Sequence, residues 1–143
     1  MHIRQLLRRK GADVATVDPG ASVRDALALL AARRIGALVV STDGRTVQGI
    51  VSERDVARGL HERGAALLAD PVSAVMTAEV HSCGPDSSVH DLARLMTDRR
   101  VRHVPVVEDG ALVGIVSIGD VVKARLDELE AERAQLVDYI QTA

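Results

Sequence analysis

Val23, Ala26, Leu27 and Leu30 stand at i, i+3, i+4 and i+7, and so do Val89, Leu92, Ala93 and Met96. That spacing puts one apolar face on an α-helix. Ser22 and Ser88 immediately precede the two patterns, where a hydroxyl caps the first free amides of a helix. Arg33-Arg34 and Arg99-Arg100 close them, and positive charge is favoured at the carbonyl end of the helix dipole. An apolar run follows each pair (37–40 and 104–107), then Asp-Gly, then a second apolar run (47–51 and 112–116). Two such runs around Asp-Gly predict a β-hairpin. Short β-prone segments at 14–17 and 80–82 lead into Pro-containing turns ahead of each helix. Residues 52–60 and 117 onward are predicted as closing helices. The same β-α-β-β-α order is written twice.

The likeness extends to residue identity. Residues 19–44 laid over 85–110 share ten of 26 positions, and 49–56 over 114–121 share six of eight. Chance gives roughly two or three matches over the combined length. The offset drops from 66 to 65 because the first hairpin carries one extra residue. A single copy of about 60 residues buries too little surface to stand alone. The predicted fold is therefore α+β with α/β character: two repeats packed sheet to sheet about a pseudo-two-fold axis, with clefts between them. Ile3, Leu6 and Leu7 precede the first copy much as Val72, Val75 and Met76 precede the second. Residues 57–70 read as a polar linker. The division expected is 1–67 for the first repeat with an N-terminal helix, 68–125 for the second, and 126–143 for an extension of the last helix. Val122, Leu126, Leu129, Leu136 and Ile140 form a near-heptad stripe broken by Arg133. It fits a dimer contact, and equally an amphipathic helix lying on its own domain.

Composition narrows the function. The 143 residues are 47% hydrophobic and 27% charged, with 18 basic and 20 acidic residues. Tyr139 is the sole aromatic, which argues against stacking of single-stranded nucleic acid, and the net charge of −2 gives no footprint for DNA or RNA. Cys83 is the only cysteine, so there is no internal disulfide and no thiol metal cluster. The five histidines include no i, i+4 pair and no His-Glu-x-x-His. No apolar run approaches 18 residues and no signal peptide is recognised, so a soluble cytoplasmic protein without a membrane or nucleic-acid partner is expected.

The most informative duplicated element is Gly49-Ile50-Val51-Ser52-Glu53-Arg54-Asp55 against Gly114-Ile115-Val116-Ser117-Ile118-Gly119-Asp120. Ser and Asp three residues apart at a strand-to-helix junction form a capping box. The same carboxylate can also accept both hydroxyls of a ribose, and exposed helix amides favour a nearby phosphate. These elements, the β-α-β-β-α duplication and Val101-Arg102-His103-Val104-Pro105-Val106 resemble a pair of CBS domains (a Bateman module). With Ile35-Gly36-Ala37-Leu38-Val39-Val40, the likeness is to small stand-alone bacterial CBS-pair proteins. It spans about residues 14–122.

The resemblance implies an adenosine ligand (AMP, ADP, ATP, NAD(H) or S-adenosylmethionine), a homodimer, an unidentified regulated protein, and no catalytic cofactor. It implies a first site in which Ser52 and Asp55 hold ribose, Val80 and His81 frame the adenine, and Arg102 and His103 face phosphate. Arg54 is a further phosphate candidate or a solvent-exposed ion-pair partner. The quasi-equivalent site would use Ser117 and Asp120 with Val14 and Ala15 beside the base. Its phosphate positions hold Gly36 and Ala37, which offer no charge. No Gly-x-Ser-x-Gly, P-loop lysine or Gly-x-Gly-x-x-Gly is present, so no enzyme activity is expected. The expected function is a regulatory module sensing energy or redox state; the alternative is a scaffold dimer with degenerate clefts.

Overall fold

Ser22 Oγ accepts a hydrogen bond from the Asp25 amide at 3.1 Å, and Ser88 Oγ one from the Asp91 amide at 3.0 Å. Both serines start helices, α2 (Val23–Arg33) and α4 (Val89–Arg99). The computed structural model describes residues 1–142. Both helices end on an arginine in left-handed conformation, Arg34 at φ 53° and Arg100 at φ 54°. The basic pairs therefore supply the helix-terminating residue as well as the charge.

In the first copy β1 (Thr16–Val17) runs parallel to β2 (Ala37–Val40), which pairs antiparallel with β3 (Gly49–Ser52). In the second, β4 (His103–Glu108) pairs antiparallel with β5 (Ala111–Ser117). The strand expected at 80–82 does not form: only Cys83 bridges to Val106, matching the Val17–Val40 pair one repeat earlier. The reason lies in one residue. Val39 N donates to Ala15 O at 3.2 Å in the first copy, but its counterpart is Pro105, which has no N–H. The next rung survives in both, Ser41 N to Val17 O and Val107 N to Cys83 O, each at 2.9 Å.

Two cores form, and the flanking segments are exchanged between them. The N-terminal helix α1 (Ile3–Lys10) sends Ile3, Leu6 and Leu7 into the core of the second copy, beside Leu92, Met96, Val104 and Val116. Val72, Val75 and Met76 pack in the core of the first copy with Val23, Leu30, Leu38 and Val51. Backbone bonds repeat the exchange: Ile3 N donates to Ser87 O and Val72 N to Ala21 O. Two glycines mark the close approaches. A Cβ on Gly114 would lie 2.7 Å from Leu7 Cδ2, and one on its counterpart Gly49 would lie 2.7 Å from Met76 Sδ.

The linker expected at 57–70 is structured. Helix α3 (Glu53–Arg63) runs through its first half, and a 3-10 turn (Gly64–Ala69) buries Leu67 completely. Gly59 allows this, because a Cβ there would meet Leu67 Cδ2 at 2.7 Å. The last helix, α5 (Ile118–Thr142), has 25 residues, of which Val121 and Ala124 are buried. Its near-heptad stripe does not lie on the domain: Leu126 is 54% exposed, Leu136 61% and Ile140 67%. No helix among the described residues is long and apolar enough to cross a membrane.

Candidate functional site

The strand-to-helix junctions of the two copies open onto two adjoining clefts of about 310 and 410 Å³. Volumes of this order suit a small organic ligand. The first is lined by Ser52, Arg54, Asp55, Val80, His81, Arg102 and His103, all singled out in the sequence, together with Thr77, Glu79, Arg58 and Arg100. The second is lined by Val14, Ala15, Gly36, Ala37, Ser117 and Asp120, joined by Lys10, Asp13, Arg33 and Arg34. Gly36 and His103 line both.

At the first cleft Ser52 and Asp55 form the capping box of α3. Asp55 Oδ2 accepts from the Ser52 amide at 2.8 Å and the Ser52 hydroxyl at 3.0 Å, and Ser52 Oγ accepts from the Asp55 amide at 3.3 Å. The other oxygen, Oδ1, is approached by the Thr77 hydroxyl at 3.4 Å, a weak contact. Among the described residues Asp55 makes no ion pair. A half-buried carboxylate with one oxygen so lightly engaged is a ready acceptor for a vicinal diol. Arg54, Arg58, Arg100 and Arg102 outnumber Glu53, Asp55 and Glu79 around it, so the cleft favours an anionic group.

The second cleft repeats the box with a different set of donors on its carboxylate. Asp120 Oδ2 accepts from the Ser117 amide at 2.8 Å, and Ser117 Oγ accepts from the Asp120 amide at 3.2 Å. Here Lys10 Nζ also donates to Asp120 Oδ2 at 2.6 Å and to Ile115 O at 2.7 Å. Burial pulls the Asp120 carboxyl up, but hydrogen bonds from Lys10 and Ser117 outweigh it and hold the group below its usual range. Gly36 and Ala37 bring no charge to this cleft, while Lys10, Arg33 and Arg34, which the sequence did not place there, supply cations from α1 and from the end of α2.

His103 forms the partition between the clefts. Burial lowers its pKa, against smaller opposing effects of Asp120 and Glu53, so the imidazole is neutral at pH 7 and can donate and accept. Cys83 packs against the second core, and burial pushes its thiol up to about 11. Burial thus favours the thiol over the more nucleophilic thiolate. No group of three or more His, Cys, Asp or Glu placed to hold a metal occurs among the described residues.

Arg58, Thr77 and Lys10 escaped the sequence reading, which took Arg100 only as a helix-end charge. Arg100 and Arg34 are one repeat apart and both end a helix at a cleft mouth, a pairing visible in the alignment of the copies. Thr77 and Lys10 belong to the exchanged flanks, and no local pattern announces where those land.

Against known proteins, the family model described as CBS domain matches twice, at residues 3–62 and 72–127. A CBS domain-containing protein of Arabidopsis thaliana, described as mitochondrial, is 38% identical over 124 residues, covering 84% of this chain and 60% of that protein. The chain thus spans less than two thirds of that relative. A crystal structure of a CBS-domain-containing protein from Agrobacterium tumefaciens superposes with a TM-score of 0.84 at 48% identity, over 87% of this chain and 99% of the other. A CBS domain protein of Pyrobaculum aerophilum complexed with AMP superposes at TM-score 0.74 and 29% identity, over 84% of this chain and 89% of that one.

Proposed function

Since the chain belongs to the CBS domain family and has two such domains in tandem, we propose that it is a non-catalytic regulatory module that binds an adenosine nucleotide in the first cleft. The observation behind this reading is the lightly engaged Oδ1 of Asp55 in a cleft bordered by four arginines. The AMP bound by the Pyrobaculum relative gives the ligand class. In this reading Ser52 and Asp55 hold the ribose, and Val80 and His81 frame the adenine through their backbone. Arg102, Arg54 and neutral His103 face the phosphate. Guanidinium forks grip phosphate oxygens in pairs, and a neutral imidazole adds one donor without competing for charge.

Regulation follows from the placement of the cleft. Its walls come from both repeats, so a ligand that touches both favours one relative packing over another, by the difference in its affinity for the two. The physiological candidates are AMP, ADP, ATP and NAD(H), which would make the module a sensor of energy or redox state in the cytoplasm. The output passes through the exposed stripe of α5, which we assign to a second copy of the chain.

Thermal melting with AMP, ATP, NADH and S-adenosylmethionine tests the reading. A ligand at one hundred times its Kd adds about 2.7 kcal/mol to stability. Asp55→Ala should abolish most of that gain while lowering the intrinsic stability by only about 1 kcal/mol through loss of the capping box. No shift of the wild-type protein with any of the four at millimolar concentration would overturn the proposal in favour of a scaffold with degenerate clefts.

A further inference from the structure

We propose that Lys10 closes the second cleft to the sugar of an adenosine ligand, so that each chain holds one AMP rather than two. This rests on the reading of the capping-box carboxylates as ribose acceptors. The two strand-to-helix junctions are built alike, but the flanking segments bring different donors to their carboxylates. In the first copy, Thr77 N donates to Ile50 O at 2.9 Å, and the Thr77 hydroxyl leans toward Asp55 at 3.4 Å. In the second, the counterpart carbonyl, Ile115 O, and Oδ2 of the counterpart carboxylate, Asp120, both accept from the Lys10 ammonium, at 2.7 and 2.6 Å. Where the first carboxylate meets a weak hydroxyl contact at Oδ1, the second carries a charged bridge at Oδ2.

The bridge is fixed in place. Lys10 ends a helix whose Ile3, Leu6 and Leu7 are buried in the second core, and whose Arg4 pairs with Asp86 and Glu108. The lysine side chain is 27% exposed and that of Asp120 24%, so the pair is shielded from most of the solvent. Lys10 and the Ser117 amide both sit on Asp120 Oδ2, so a ribose diol is left with Oδ1 of a carboxylate whose charge the ammonium already neutralises. To engage both oxygens it would have to displace the cation and leave Ile115 O without its donor, and a neutral diol offers weaker hydrogen bonds than an ammonium in return. At Asp55 no cation pairs with the carboxylate, and a diol at Oδ1 displaces only a long contact with a hydroxyl.

Equilibrium dialysis of AMP against the full chain, read as molecules bound per chain, tests the proposal. The wild-type protein should bind one, Lys10→Met two, and Lys10→Arg one again, because a guanidinium restores the bridge. Lys10→Met combined with Asp55→Ala should bind one, at the second cleft. A melting curve establishes that each variant folds, and Lys10→Gln replaces Lys10→Met if the latter does not. Two AMP per wild-type chain, or no increase in Lys10→Met or its substitute Lys10→Gln, would overturn the proposal. If the wild-type chain binds none while Lys10→Met binds one, the Lys10 proposal holds and the assignment of the first cleft fails. If neither binds any, both fail.

Discussion

Gly36 lies against the imidazole of His103: a Cβ built on it would stand 3.3 Å from both Cε1 and Nε2. The two residues belong to different repeats and both face both clefts. Gly36 occupies the position that Arg102 holds in the other copy, so the absence of a side chain there is what lets the histidine act as a partition.

Gly36→Ala should therefore shift the ring by a few tenths of an ångström without strain in the backbone. AMP affinity at the first cleft is expected to fall about two- to fivefold, with stability changed by less than ~1 kcal/mol. Titration calorimetry beside a melting curve separates the two effects; unchanged affinity would remove His103 from the phosphate contacts.

Stability should depend on this same ring. Its pKa is lowered in the folded chain, chiefly by burial, with Lys10 and Arg102 acting in the same direction and Asp120 and Glu53 against. The unfolded chain, with an ordinary value of ~6.5, therefore takes up the proton first. The contribution is fully present above about pH 6.5 and is lost as pH falls from there through the lower folded value. Melting temperatures from neutral to mildly acidic pH should decline less steeply for His103→Gln than for the wild-type chain. Parallel curves would show that the histidine titrates alike in both states.

Gly114 and Leu7 offer a test of the exchanged flanks. Gly114→Ala pushes a methyl into Leu7 and should cost about 1–3 kcal/mol. Leu7→Ala alone empties part of the second core, at about 2–5 kcal/mol. Denaturant melts of the double variant should give a loss clearly smaller than the sum, since the new methyl occupies the vacated space. Strict additivity would mean that α1 does not sit on β5.

Leu129 is 44% exposed in the middle of the α5 stripe. Leu129→Glu should leave the folded chain within about 0.5 kcal/mol of wild type and convert a dimer to monomers in sedimentation velocity. A wild-type chain that is already monomeric would remove the assignment of this stripe to a second copy.

Much of this arrangement was legible in local patterns. The caps at Ser22 and Ser88, the apolar faces of α2 and α4, and the Ser-x-x-Asp boxes depend on residues three or four apart. A linear reading recovers them for that reason. The strand expected at 80–82 fails because of Pro105, more than twenty residues away, and the linker at 57–70 is ordered because Leu67 reaches the space left by Gly59.

By itself the sequence determined the duplication, the order of elements and the identity of the carboxylates, since periodicity and spacing are properties of neighbours along the chain. Only the tertiary structure decided that α1 crosses to the second copy and that the two similar carboxylates differ. Lys10 and Asp120 are 110 positions apart, and what brings an ammonium within 2.6 Å of one carboxylate is the burial of Ile3, Leu6 and Leu7 in a core to which the far half of the chain contributes.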